Sequence, residues 1–171
     1  MNVLQGARLA KAERIIAVDM SPAKLGLAVR FGATDLVDAS KVDPIEALRD
    51  LTDGIGVDVS FEVIGLQATI QQALRSVRRG GQTILVGMPD REAILPMRAL
   101  ATVYGARTIR GCWYGSSLPQ IDVPNILDLH DRGVIELRAL ISGEITLDEI
   151  NRGLDGLASG TASRSVIRFD I

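Results

Sequence analysis

Short runs of β-branched residues alternate along this chain with stretches whose apolar side chains recur at helical spacing, and that alternation constrains the fold most. The runs are Ile-Ile-Ala-Val at 15–18, Leu-Val at 36–37, Val-Asp-Val-Ser-Phe-Glu-Val-Ile at 57–64, Gln-Thr-Ile-Leu-Val at 82–86, Arg-Thr-Ile-Arg at 107–110 and Ser-Val-Ile-Arg-Phe at 165–169. Between them Ile70, Ala73, Leu74 and Val77 fall at i, i+3, i+4 and i+7, the stripe of a helix lying on a sheet. Leu147, Ile150, Leu154 and Leu157 repeat the pattern. Ser21-Pro22 and Asp43-Pro44 each set a capping side chain before a proline at the first helical position. Asp43 with Glu46, and Thr146 with Glu149, have capping-box spacing. Arg75, Arg78 and Arg79 read as a last helical turn that Gly80-Gly81 ends. Strand and helix in strict alternation predict an α/β fold with a doubly wound parallel sheet, as one domain over residues 1–171.

Composition narrows the function classes. Nineteen basic against twenty-one acidic side chains give a net charge of −2, which removes the electrostatic case for a nucleic-acid binder. A single cysteine, Cys112, and a single histidine, His130, leave no intrachain disulfide and no Cys- or His-rich metal site. No apolar run approaches the roughly 20 residues of a membrane span, and no signal-peptide pattern opens the sequence, so a cytoplasmic location is expected.

Val3, Leu4, Ala7 and Ala10 already run with helical spacing at the start of the sequence, with no strand, turn or cap ahead of them. A first helix in a parallel α/β fold is normally fed by a strand. The sheet is therefore expected to be incomplete, its first central strand absent.

The candidate site residues sit where predicted strands end. Asp19 closes the run 15–18, a place where dinucleotide-binding folds use a carboxylate to accept from both hydroxyls of a ribose. It also reads as a loop acid or a cap for the next helix. No G-x-G-x-x-G occurs in the chain, and Gly54-x-Gly56 lies in a turn before a strand. Ile64-Gly65 and Val86-Gly87 close two strands on the side where open parallel sheets bind ligands. Their glycines either admit a flat ring to the backbone or serve an ordinary strand-to-helix turn. Cys112 has no base beside it in sequence and reads as filler. His130 reads as a solvated helix-end residue, and Asp148-Glu149 and Asp128/Asp131 as exposed acids. No catalytic triad and no metal-ligand set is predicted.

Taken together, several segments resemble the cofactor-binding half of the zinc-dependent medium-chain alcohol dehydrogenases. They are Gln5-Gly6-Ala7-Arg8-Leu9-Ala10, Ile15-Ile16-Ala17-Val18-Asp19, Phe31-Gly32-Ala33-Thr34, Phe61-Glu62-Val63-Ile64-Gly65, Val86-Gly87-Met88-Pro89, Gly111-Cys112-Trp113-Tyr114-Gly115 and Leu147-Asp148-Glu149-Ile150-Asn151. The resemblance covers essentially the whole chain, and the 113–117 segment looks most like bacterial members acting on primary or aryl alcohols and aldehydes. It implies a Rossmann-type, NAD-binding domain, with zinc only in the parent enzyme and held by no residue of this chain. Asp19 would hold the adenosine ribose and select NAD over NADP, with Lys24 on the same ribose. Ile64 and Gly65 would line the adenosine side, Arg164 would meet the pyrophosphate, and the turn at Val86 and Gly87, with Cys112 and Tyr114, would orient the nicotinamide. A last strand at 164–171 would pack on a catalytic domain, and the edge strand 107–110, beside 93–103, would pair two copies into a homodimer or homotetramer. The chain alone would bind NAD poorly and be inactive, a fragment of an oxidoreductase. A non-catalytic NAD-binding or dimerisation module is the alternative, and a methyltransferase-like fold binding S-adenosylmethionine is a third class.

Overall fold

The computed structural model describes residues 1–160, 162 and 164–169. Residues 2–118 form one compact unit and residues from Pro119 onward a second. Every strand pairing in both is parallel.

The first unit runs α1 (Asn2–Leu9), β1 (Ile16–Asp19), α2 (Pro22–Arg30), β2 (Asp35–Asp38), α3 (Pro44–Leu51), β3 (Val57–Glu62), α4 (Gln67–Ser76), β4 (Val77–Leu85), α5 (Ala99–Gly105) and β5 (Thr108–Gly111). The helix starts follow from local chemistry. Ser21 Oγ accepts the Lys24 N–H at 3.4 Å, and Asp43 Oδ1 accepts the Ile45 and Glu46 N–H groups at 2.7 and 3.1 Å. Pro22 and Pro44 follow at once with φ already helical. Each helix then turns apolar side chains inward: Leu25 and Ala28 from α2, Ile45 and Leu48 from α3, Ile70 from α4, around Ala17, Phe31, Val37 and Val77.

β1 pairs with β2 alone, while β3, β4 and β5 form a separate sheet in that order. The expected gap is therefore present as a break: among the described residues β1 and β3 do not pair with one another. Val59 and Phe61, at alternate positions on one face of β3, stay exposed, as does Val63 just past its end. On the opposite face Ser60 Oγ reaches Thr83 Oγ1 at 3.0 Å and the Ala73 carbonyl at 2.9 Å, tying the sheet to α4.

One helix end departs from expectation. Arg78 and Arg79 are not in the last turn of α4, which ends at Ser76; they lie on β4. Val77 is extended and 2% exposed, so the core takes it as a strand residue. Val57 pairs with Val77 but Val59 with Gln82, so the intervening arginines and Gly80 bulge out of the ladder. Gly80 permits this with φ +71°, and Arg78 Nε meets Asp58 at 2.6 Å. The third strand also ends two residues early, at Glu62 in place of Ile64, because the Glu62 carboxylate folds the next residues into a turn.

The second unit contains α6 (Pro119–Asp131), β6 (Gly143–Ile145), α7 (Ile150–Ala158) and β7 (Ser165–Ile167), with β6 paired to β7. The Thr146/Glu149 capping box forms, and the Thr146 N–H at 3.0 Å, with help from Arg152, holds the Glu149 carboxyl below its ordinary range. The stripe Leu147, Ile150, Leu154 and Leu157 does not pack on a sheet but stays exposed. The helix rests instead on Gly153, where a Cβ would overlap the Ile145 side chain. The last strand stops at Ile167, and residues 170–171 of the expected strand 164–171 lie outside the described residues.

Candidate functional site

The carboxyl ends of β3, β4 and β5 are locked together by backbone. The Glu62 carbonyl accepts the N–H groups of Val86 and Gly87 at 2.8 and 2.9 Å, and Cys112 N–H donates to the Leu85 carbonyl at 2.9 Å. Ile64, Gly65, Val86, Gly87 and Cys112 are thus brought to one end of one sheet. Ile64 and Val86 are exposed there, whereas Gly65 is buried at φ +90°. A Cβ on Gly65 would overlap the Met88 carbonyl, and one on Gly87 would overlap the Ile64–Gly65 backbone. Both glycines are therefore required by the packing of the two turns against each other. Ligand approach is not needed to explain them.

Glu62 is the residue that sequence reasoning passed over. It is 3% exposed, and its carboxylate Oε1 accepts the N–H of Ile64 at 2.8 Å, the N–H of Gly65 at 2.9 Å and the Thr69 hydroxyl at 2.8 Å. The readable signal was an acid closing a β-branched strand, three residues before the glycine of the next turn.

Asp19 ends β1 half-buried and in register with Asp38 on β2. Its Oδ1 accepts the Ser21 N–H at 2.9 Å, so the loop-cap role is real. An ionised carboxylate accepts at both oxygens, so this bond leaves capacity for a diol. Lys24 follows on the first turn of α2. Asp38 is bound by Lys41 Nζ at 2.8 Å and by Ser40, which hold its carboxyl at about 2.

Tyr114 stands 81% exposed on a short turn after β5, its ring edge-on to Trp113 at 5.0 Å. Tyr114, Gly115 and Ser116 all have positive φ, at 47°, 71° and 53°. Two non-glycine residues in that region mark stored backbone strain, which collects at ligand-binding turns. Arg164 belongs to the second unit, where its N–H donates to Ser142 Oγ at 2.9 Å. His130 Nδ1 lies 3.2 Å from the Ile135 carbonyl at the end of α6. Asp128 pairs with Arg132 on the surface.

Among the described residues no group of three or more His, Cys, Asp or Glu side chains could hold a metal ion. These residues therefore do not present a zinc donor set. A nicotinamide dinucleotide fits better: a half-buried carboxylate closes β1, and backbone turns are exposed beyond β3, β4 and β5.

A parallel α/β unit carrying an acid at the end of its first observed strand and turns packed together at the ends of three others is the framework of a nucleotide-binding domain. Residues 1–132 match the family model described as zinc-binding dehydrogenase, and the chain belongs to that family. It is 36% identical over 174 residues to alcohol dehydrogenase-like 2 of Arabidopsis thaliana, covering 99% of this chain and 45% of that protein. The crystal structure of benzyl alcohol dehydrogenase from Acinetobacter calcoaceticus aligns with a TM-score of 0.91 at 28% identity, over 97% of this chain and 45% of that one. A zinc-binding dehydrogenase from Sinorhizobium meliloti 1021, solved bound to NADP, aligns with a TM-score of 0.79 at 28% identity, over 87% of this chain and 43% of that one. The chain spans about half the length of the relatives it matches. No helix among the described residues is long and apolar enough to cross a membrane.

Proposed function

We propose that this chain is the NAD-binding part of a cytoplasmic oxidoreductase that passes hydride between NAD and a primary or aryl alcohol and its aldehyde. The two compact units would together be one partial dinucleotide-binding domain. The observation that carries the reading is Asp19, half-buried at the carboxyl end of β1. A carboxylate there accepts from both hydroxyls of an adenosine ribose and repels the phosphate that NADP carries at that position. Lys24 would contact the same ribose. Ile64 and Gly65 would lie along the adenosine, the backbone at Val86, Gly87, Cys112 and Tyr114 would orient the nicotinamide, and Arg164 would meet the pyrophosphate. The dinucleotide, when bound, supplies the hydride acceptor; the chain's residues bind and orient it. The likeness to benzyl alcohol dehydrogenase supports an aryl or primary alcohol as the substrate class.

The NADP-bound relative makes cofactor choice the sharpest test. NADH and NADPH titrated separately against the chain by NMR, which tolerates millimolar affinity, should give NADH the lower Kd. Asp19→Ala should narrow that ratio by roughly ten- to a hundredfold, the worth of one charge-assisted hydrogen bond. A ratio untouched by the substitution would leave Asp19 as a loop cap only.

A further inference from the structure

We infer that Glu62 is the positioning residue of this site, the group that holds both dinucleotide-facing turns in one rigid arrangement; this rests on the cofactor reading above. The side chain and the main chain of this one residue act on different turns. Its carboxylate accepts the N–H groups of Ile64 and Gly65, the second of these also through Oε2 at 3.1 Å, and the Thr69 hydroxyl on α4. Its carbonyl accepts the N–H groups of Val86 and Gly87. The two turns then meet glycine to glycine with no room for a Cβ. A shift of the 64–65 turn must therefore displace the 86–87 turn as well.

The chemistry demands a carboxylate. Three donors converge on Oε1 and one of them also on Oε2, and only an ionised acid offers acceptor sites on both oxygens without a competing donor. Glutamine of the same size would present an N–H₂ group to the Gly65 N–H. Aspartate keeps the charge and reaches the N–H groups two and three residues on, as short acids do at turns, but falls short of Thr69.

The test uses the 171-residue chain, NADH as the probe, and two NMR readouts: amide exchange without ligand and chemical-shift titration with it. Glu62→Gln should speed exchange at Ile64 and Gly65, leave the β1–β2 amides protected, and weaken NADH binding about tenfold, the worth of one lost hydrogen bond to a charged group. Glu62→Asp should restore much of both. Wild-type NADH affinity in Glu62→Gln, or unaltered exchange at Ile64 and Gly65, overturns the inference. If Glu62→Gln fails to fold, Thr69→Val decides: a few-fold weaker NADH binding supports the role, and unchanged affinity refutes it. A wild-type chain whose site amides do not shift with millimolar NADH removes the cofactor reading and this inference with it; normal NADH binding with an indifferent Glu62 removes the inference alone.

Discussion

Gly65→Ala separates the cost of a left-handed backbone from the cost of turn packing, because Gly54 supplies the control. Both glycines have positive φ, +90° and +79°, but a Cβ at Gly54 meets nothing within 4 Å. Gly54→Ala should therefore cost only the strain of a left-handed alanine, about 1–2 kcal/mol. Gly65→Ala carries the same strain and two further penalties. Its Cβ overlaps the Met88 carbonyl and stands 2.9 Å from Pro89 N, an overpacking worth about 1–3 kcal/mol. Relieving that overlap pulls the Gly65 N–H from Glu62, a bond to a charged group worth about 1.5–3 kcal/mol. The difference between the variants is then about 2.5–6 kcal/mol, a large part of a typical domain stability of about 5–15 kcal/mol. Urea unfolding followed by circular dichroism reads it directly: with a slope of about 1–3 kcal/mol per molar, the midpoints should differ by at least about 1 M. Midpoints that coincide would mean that the two turns are not packed against each other as described.

The Asp38 carboxyl should titrate near pH 2 by carbon-detected NMR, because the Lys41 ammonium and Ser40 bind its charged form; Lys41→Met should return the midpoint toward the usual carboxylate range. A depressed folded value stabilises the fold above that range and loses its effect as pH falls from there toward about 2, so the stability gap between wild type and Lys41→Met should close over that window and not at neutral pH. Among the described residues β5 pairs with β4 and no other strand, and its open edge is where two copies would join. Sedimentation equilibrium should show a dimer or tetramer that Ile109→Pro breaks, and a strict monomer at high concentration would refute that pairing.

Much of the fold was readable because its signals are local. Ser21-Pro22 and Asp43-Pro44 cap helices where they stand in sequence, and the β-branched runs become strands within a few residues of their expected bounds. Local signals failed where tertiary contacts outweighed them. Arg75, Arg78, Arg79 and two glycines look like a helix end, but burying Val77 beside Val57 draws the last four of those residues into a bulged strand. The leucine stripe of α7 has correct spacing, yet spacing cannot show that Gly153 is the face that packs. At the site, the positions of Asp19, Ile64, Gly65, Val86 and Gly87 at strand ends were legible from strand boundaries alone. The reason for the glycines and the part played by Glu62 were not, because both depend on two turns that lie more than twenty residues apart in the chain and meet only in the fold.

Trp113 is the sole tryptophan of the sequence, and it is 66% exposed on the turn beyond β5, with Tyr114 at its edge. A ring this exposed should already emit as an indole in water, so unfolding should move its emission little. Tyr114, one of two tyrosines, hands its excitation to that same ring across 5.0 Å. The intrinsic fluorescence of this chain is therefore a poor gauge of folding and a selective gauge of one turn. A reduced nicotinamide settling there would absorb where the indole emits, and the resulting quenching would report on that turn while the rest of the molecule stayed dark.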